Sequence, residues 1–210
     1  MPAALAVLLV SGAALARETA IEPGQWRVID RDSGPDRYYS IAHEGPTSFL
    51  RARYRPPMRT TSLGWQAPDD ARASARTLRW SWRVEAFPTG GNECDAARAD
   101  SAAAVYATWK RGLRYYALKF VWSTAATKGS TCNTKRNPFV AQDSVVLESG
   151  GPVGEWRREE IDLPGEFRRH FEGGDASASV PDFVGVGVLT DGDQTQSESA
   201  ADYAGVAVVF

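Results

Sequence analysis

Leu78, Trp80, Trp82 and Val84 alternate with Arg79, Ser81, Arg83 and Glu85. That period of two belongs to a strand with one buried and one wet face, and here the buried face is heavily aromatic. Residues 115–122 read as a second strand and 101–109 as a third, with Gly112 in the turn between them. Further strands are predicted at 26–30, 38–43, 48–54, 144–148 and 155–162. Near the end of the chain, two apolar runs at 183–190 and 201–209 flank an acidic loop. One helix stands out: Asp162 can cap it, Pro164 sits in its first turn, Leu163, Phe167 and Phe171 share a face, and Gly173-Gly174 stops it. Residues 172–179, rich in Gly, Ala and Ser, read as a flexible loop. Many short strands with one short helix predict an all-β chain, an antiparallel β-sandwich of jelly-roll type.

Residues 1–16 form a short apolar run closing on Ala14-Leu15-Ala16, the small-x-small pattern that signal peptidase cleaves. The alternative, a buried N-terminal helix, fits less well with the abrupt change to Arg17-Glu18-Thr19. The reading predicts a periplasmic or secreted protein whose residues 17–210 form a single sandwich domain. The run is shorter than the roughly 20 residues a membrane span needs, and no other segment is apolar enough, so the chain is not expected to span a membrane. Cys94 and Cys132 are the only cysteines, both in polar, Gly-rich surroundings. In an exported protein such a pair reads as one disulfide, with two free thiols as the alternative. His43 and His170, the only histidines, show no zinc-ligand spacing. A net charge of −2 argues against a nucleic-acid partner, and no polybasic block marks the chain for an anionic membrane.

Several landmarks recur in a known order: Leu78-Arg-Trp-Ser-Trp-Arg-Val84, Asp100 opening a strand, Tyr116-Ala-Leu-Lys-Phe-Val-Trp122, Asn137-Pro138, Val145-Val146 before Ser149-Gly150, Gly154-Glu-Trp156, Phe167-Arg-Arg-His-Phe171 and Gly185-Val-Gly-Val-Leu-Thr-Asp-Gly-Asp193. Together they resemble DUF3047, a bacterial exported family of unassigned function. The chain departs from the family pattern at Ala99-Asp100, where an acidic pair is usual, and at Asp191-Gly-Asp-Gln-Thr195, where Asp-x-Asp-Asn-Thr is usual. The resemblance implies an exported sandwich and supplies no activity.

No nucleophile triad, phosphate loop or nitrogen/sulfur metal cluster occurs in the sequence, so candidate sites come from the acidic loop and the aromatics. Counting from Asp191, oxygen side chains fall at positions 1, 3, 5, 7, 9 and 12, namely Asp191, Asp193, Thr195, Ser197, Ser199 and Asp202. Alternate oxygens around one hard cation are the logic of a calcium loop, and Asp191, Asp193, Thr195 and Asp202 are the candidate ligands. Gln196 in place of the sharp-turn glycine and strands in place of helices exclude an EF-hand, and a polar ligand-contacting rim or a plain turn remains open. Among the seven Trp, Trp80 and Trp82 read as core. Trp109 and Tyr115, with Arg111 between them, flank a cationic hairpin that suits an anionic or neutral polysaccharide or, equally, a solvated turn. Asp100, Trp109, Arg111, Tyr115 and Trp122 form the candidate ligand-binding set, Trp122 as core or groove wall. Two functions stay open: a non-catalytic binding module for a glycan or an envelope protein, and a hydrolase or lyase acting on an extracellular polymer through an Asp pair, Asp191 with Asp193, helped by Asp100 or Asp202.

Overall fold

The alternation that opens the sequence reading lies in β6 (Thr77–Ala86), where Leu78, Trp80, Trp82 and Val84 are all buried and the residues between them only partly so. The computed structural model describes residues 17–29 and 37–210, and the predicted export segment lies outside them. Before β6 come β1 (Glu18–Ala20), β2 (Arg27–Val28), β3 (Tyr39–Glu44), β4 (Thr47–Tyr54) and β5 (Leu63–Gln66). After it come β7 (Ala103–Arg111), β8 (Arg114–Ser123), β9 (Thr131–Arg136), β10 (Val140–Ser149), β11 (Arg157–Asp162), the helix α1 (Leu163–Phe171), β12 (Asp182–Leu189) and β13 (Ser199–Val209).

The strands form two sheets. One has the order β11-β6-β13-β4-β3, with β1 also pairing β13; the other runs β2-β5-β12-β7-β8-β10-β9. Every pairing is antiparallel except β8 with β10, which is parallel. The sheets face each other as an all-β, jelly-roll-like sandwich, and aromatic rings interlock across the interior: Trp80 meets Phe120 at 5.8 Å and Trp82 meets Trp122 at 5.9 Å between centroids. Along β13 the alternation slips between Ala204 and Ala207, so that Ala201 and Tyr203, then Val206 and Val208, all reach the core. Three strands escape the sequence reading, β1, β5 and β9, and β10 begins four residues earlier than predicted.

The helix closes one end of the sandwich. Phe167 is buried against Trp109 (5.4 Å), Tyr116 (5.2 Å) and Phe171 (5.2 Å). Asp162 holds the N-cap position as predicted, but its side chain makes no cap hydrogen bond. Its carboxylate lies against Gly165, where a Cβ would collide with it, and the Leu163 N–H finds the Arg76 carbonyl instead at 2.8 Å. At the other terminus Gly173 and Gly174 both take positive φ, and the Glu172 and Gly174 N–H groups turn back to the Arg168 carbonyl. Among the described residues no helix is long and apolar enough to cross a membrane.

Candidate functional site

Because β7 and β12 are antiparallel neighbours, with Ala104 opposite Leu189, the chain entering β7 and the chain leaving β12 meet at the end of the sandwich away from α1. Asp100 arrives from the first, Asp191 and Asp193 from the second. One carboxylate oxygen from each lies within 4.8 Å of the other two. Asp100, fully buried, accepts the backbone N–H groups of Gln194 (3.2 Å) and Thr195 (2.6 Å). Asp191 accepts the Ser101 N–H at 2.9 Å and returns its own N–H to the Ser101 carbonyl at 3.3 Å. The loop is wound tightly: a Cβ on Gly192 would strike the Ser197 carbonyl, and Gln196 adopts φ 50°, the left-handed conformation that a glycine would otherwise supply. Burial pushes the Asp191 carboxyl up to about 7; Asp100 and Glu93 nearby add to the rise, while Lys119 and the Ser101 N–H oppose it.

A second polar cluster adjoins the first through Ser101, whose hydroxyl donates to Glu93 at 2.5 Å. Glu93 also accepts from the Lys119 ammonium (2.9 Å), the Ser144 hydroxyl (2.8 Å) and the Asn133 amide (3.1 Å). Burial raises the Glu93 carboxyl, but Lys119 and the hydrogen bonds of Ser101, Lys119 and Ser144 outweigh it and hold the group below its ordinary range. Burial likewise opposes the charge on Lys119, yet Tyr106, Asp191 and Glu93 more than compensate and raise its pKa. The loop that carries Glu93 is stapled covalently to β9. Cys94, next to Glu93, and Cys132, next to Asn133, are joined in a disulfide with their Cα atoms 5.2 Å apart, as the sequence reading expected.

Outward-facing residues of the larger sheet line up in register as Gly64, Gly187, Tyr106, Lys119 and Ser144 on β5, β12, β7, β8 and β10. Where the row is glycine the surface sinks. A groove of about 710 Å³ crosses β2, β5, β12 and β7, with Gly64, Gly185 and Gly187 in its floor and Gln25, Arg27, Gln66, Tyr106 and Thr108 around it. Among the described residues Arg27 is the only charged one in the lining. Tyr106 belongs to both regions: it lines the groove, and its phenol, raised to about 12 by burial, lies beside Lys119.

The candidates read from the sequence scatter over this frame. Asp191 and Asp193 do come together, and their third partner is Asp100, a ligand-binding candidate that the hydrolase alternative also sets beside the pair. Thr195 contributes its N–H to Asp100, while its hydroxyl pairs with that of Ser197 at 2.7 Å. Asp202 stands apart from the cluster. Flanked by the buried Ala201 and Tyr203, it points out of the smaller sheet, where Arg51 (3.1 Å), Arg53 (3.2 Å) and Arg83 (3.0 Å) surround it. Trp109 is corrected from a ligand contact to core, and Trp122, read as core or groove wall, is core: Trp109 packs on Phe167 and Phe183, Trp122 on Trp82 and Phe87, and neither ring has an accessible face. Tyr115 is exposed under Lys110, 5.0 Å from the ring, and Arg111 is held by Glu172 at 2.9 Å and the Ser179 carbonyl at 2.7 Å. Glu93, Lys119, Ser101 and Ser144 escaped the sequence reading. The signal was in β8, where Lys119 stands between Ala117 and Val121 on the outer face, neighbours too apolar for a solvated lysine.

Fold and site together define a jelly-roll-like sandwich with an open groove on one sheet and a carboxylate cluster at one end. The chain belongs to the family described as "Protein of unknown function (DUF3047)", whose sequence model matches residues 25–207. No curated protein matches it. Among solved structures it is similar in outline to the family GH12 endoglucanase 3 of Trichoderma harzianum, with 8% identity, 95% of this chain and 99% of that one covered, and a TM-score of 0.44. The catalytic domain of Humicola grisea Cel12A gives 11% identity, 92% and 98% coverage and a TM-score of 0.42. A variant of ENZbleach xylanase gives 8%, 91% and 84%, and 0.42. Likenesses this slight say nothing of what this chain acts on.

Proposed function

We propose that the chain is an exported, non-catalytic binding module that holds an extended glycan in the groove of its larger sheet. The observation that carries this reading is the groove itself. Its glycine floor leaves room for a chain to lie across four strands, a span of roughly 14 Å at the usual strand spacing. Around it Gln25, Gln66, Thr108 and Tyr106 offer both donors and acceptors, which suits a hydroxyl-rich ligand. Export is supported by the apolar run at 1–16 and by the disulfide. The competing hydrolase reading draws on Asp191, whose raised pKa beside two other carboxylates is the pattern of a general acid. Against it, Asp100 and Asp191 are buried and bonded to backbone N–H groups, and neither lines the groove.

Calcium is the natural second ligand to propose, now at Asp100, Asp191 and Asp193. Oxygens within 4.8 Å of one another can share one cation at 2.3–2.6 Å from each. A dication and a proton on Asp191 are alternative ways of neutralising the same buried charge.

A glycan array read beside an activity screen on envelope polysaccharides tests the binding function. Retention without turnover is expected, and Gln66→Ala with Thr108→Val should weaken retention at least tenfold while changing stability by within about 0.5 kcal/mol. Turnover of a retained glycan would transfer the assignment to the hydrolase, and retention untouched by both substitutions would remove the groove.

A further inference from the structure

The β7–β8 hairpin turns through Gly112, at φ 58°, and Leu113, with Arg111 opposite Arg114. Leu113 stands 80% exposed, the most exposed large apolar side chain among the described residues. Beside it the Tyr115 N–H donates to the Phe139 carbonyl at 2.8 Å, which ties the turn before β10 to the hairpin. Phe139 is 64% exposed and Tyr115 42%. Thus three of the eight exposed large apolar side chains among the described residues lie on two hydrogen-bonded turns, at the end of the sandwich that α1 closes. Core packing explains none of the three.

Cations stand among them. The Lys110 ammonium lies 5.0 Å above the Tyr115 ring and the Arg114 guanidinium 5.2 Å from the Tyr116 ring. Among the described residues neither has a carboxylate within ion-pair distance, and Asp182, opposite Lys110 across the ladder, forms no ion pair with it. Arg111, the third cation, is neutralised by Glu172. An apolar point, an aromatic ring at its base and unpaired Lys and Arg behind them match the layers of an anionic bilayer surface: acyl boundary, interfacial zone and phosphate. We propose that this tip docks the protein peripherally on an anionic lipid surface, with Leu113 and Phe139 entering the headgroup boundary and Lys110 and Arg114 engaging lipid phosphates. The tip lies at the opposite end of β7 from the carboxylate cluster, roughly 26 Å away by strand rise, so docking would leave the acidic end in solvent and the groove open along its side.

Co-sedimentation of residues 17–210 with vesicles tests the proposal, comparing phosphatidylglycerol–phosphatidylcholine mixtures with phosphatidylcholine alone. Binding to the anionic vesicles is expected, decreasing as salt rises. Leu113→Ser with Phe139→Ser should lower it at least tenfold, and Lys110→Gln and Arg114→Gln about fivefold each, which corresponds to about 1 kcal/mol per charge near the surface. Melting curves overlapping the parent's show that the variants remain folded, as the exposed Lys110, Leu113 and Phe139 lead one to expect, and they check the same for Arg114, which is half-buried with its Nε enclosed. Equal sedimentation with and without anionic lipid, or undiminished binding by the folded Leu113/Phe139 double variant, would overturn the assignment, and a tip that ignores both vesicles while capturing a protein would do the same.

Discussion

At the scale of single residues, the most informative group is Asp191. Its carboxyl is raised from 3.8 to about 7 in the folded chain, so between those values the native state keeps a proton that the unfolded state has released. Stability therefore falls as pH rises from about 4 to about 7 and levels off above, by on the order of 4 kcal/mol at roughly 1.4 kcal/mol per unit. Denaturant titrations at about pH 4.5 and about pH 8 should show this fall in the parent and little of it in Asp191→Asn. Calcium competes for the same charge, so it should raise the melting temperature at about pH 8, by an amount equivalent to about 2.7 kcal/mol at a hundredfold excess over the dissociation constant. A melting curve identical in chelator and in millimolar calcium would eliminate the metal. Asp202 shows how far a residue's own surroundings can diverge from its spacing. It ends the oxygen series at position 12, yet it belongs to a strand, and alternation past Ala201 and Tyr203 sends it to the opposite side of the sheet, among arginines.

At the scale of elements, α1 depends on one ring. Phe167 is fully buried among Trp109, Tyr116 and Phe171, so Phe167→Ala should cost about 3–5 kcal/mol, whereas Phe171→Ala, at a partly buried position, should cost less. Urea midpoints of the two variants check the order. Elements with an internal pattern were legible in the sequence. β6 announces itself by strict alternation, and α1 by its cap position, its apolar face and its glycine stop. β9 does not: Thr131-Cys-Asn-Thr-Lys-Arg136 is an edge strand with no fully buried residue, so no hydrophobic period exists to be read. β5 is hidden by Gly64, which serves the groove and weakens the strand pattern. The parallel pairing of β8 with β10 has no local signature at all, since it is decided by which strands meet after the chain has crossed over. The site follows the same division: Asp191 and Asp193 were visible as a loop, whereas the choice of Asp100 over Asp202 beside them is made by the β7–β12 neighbourhood, and the meeting of Glu93 with Lys119 by the fold of the loop that carries Cys94.

At the scale of the whole molecule, the disulfide spans 38 residues and ties the loop of Glu93, the partner of Lys119, to β9. Reduction should lower stability by about 4 kcal/mol in the chain-entropy account, and the unreduced protein should carry no alkylatable thiol by intact mass. Two labelled cysteines before reduction would refute the pairing in solution. The smaller sheet is organised around β13, which pairs with β1, β4 and β6 at once. Its partners precede it by more than a hundred residues: Tyr203 lies opposite Leu50 on one side and Trp82 on the other. In time rather than in space, this means that a chain emerging from its N-terminus has the flanks of that sheet long before it has the centre. The edges of β4 and β6 that β13 covers have no β-partner until residues 199–209 have followed, so the sheet cannot be complete before the last strand is made.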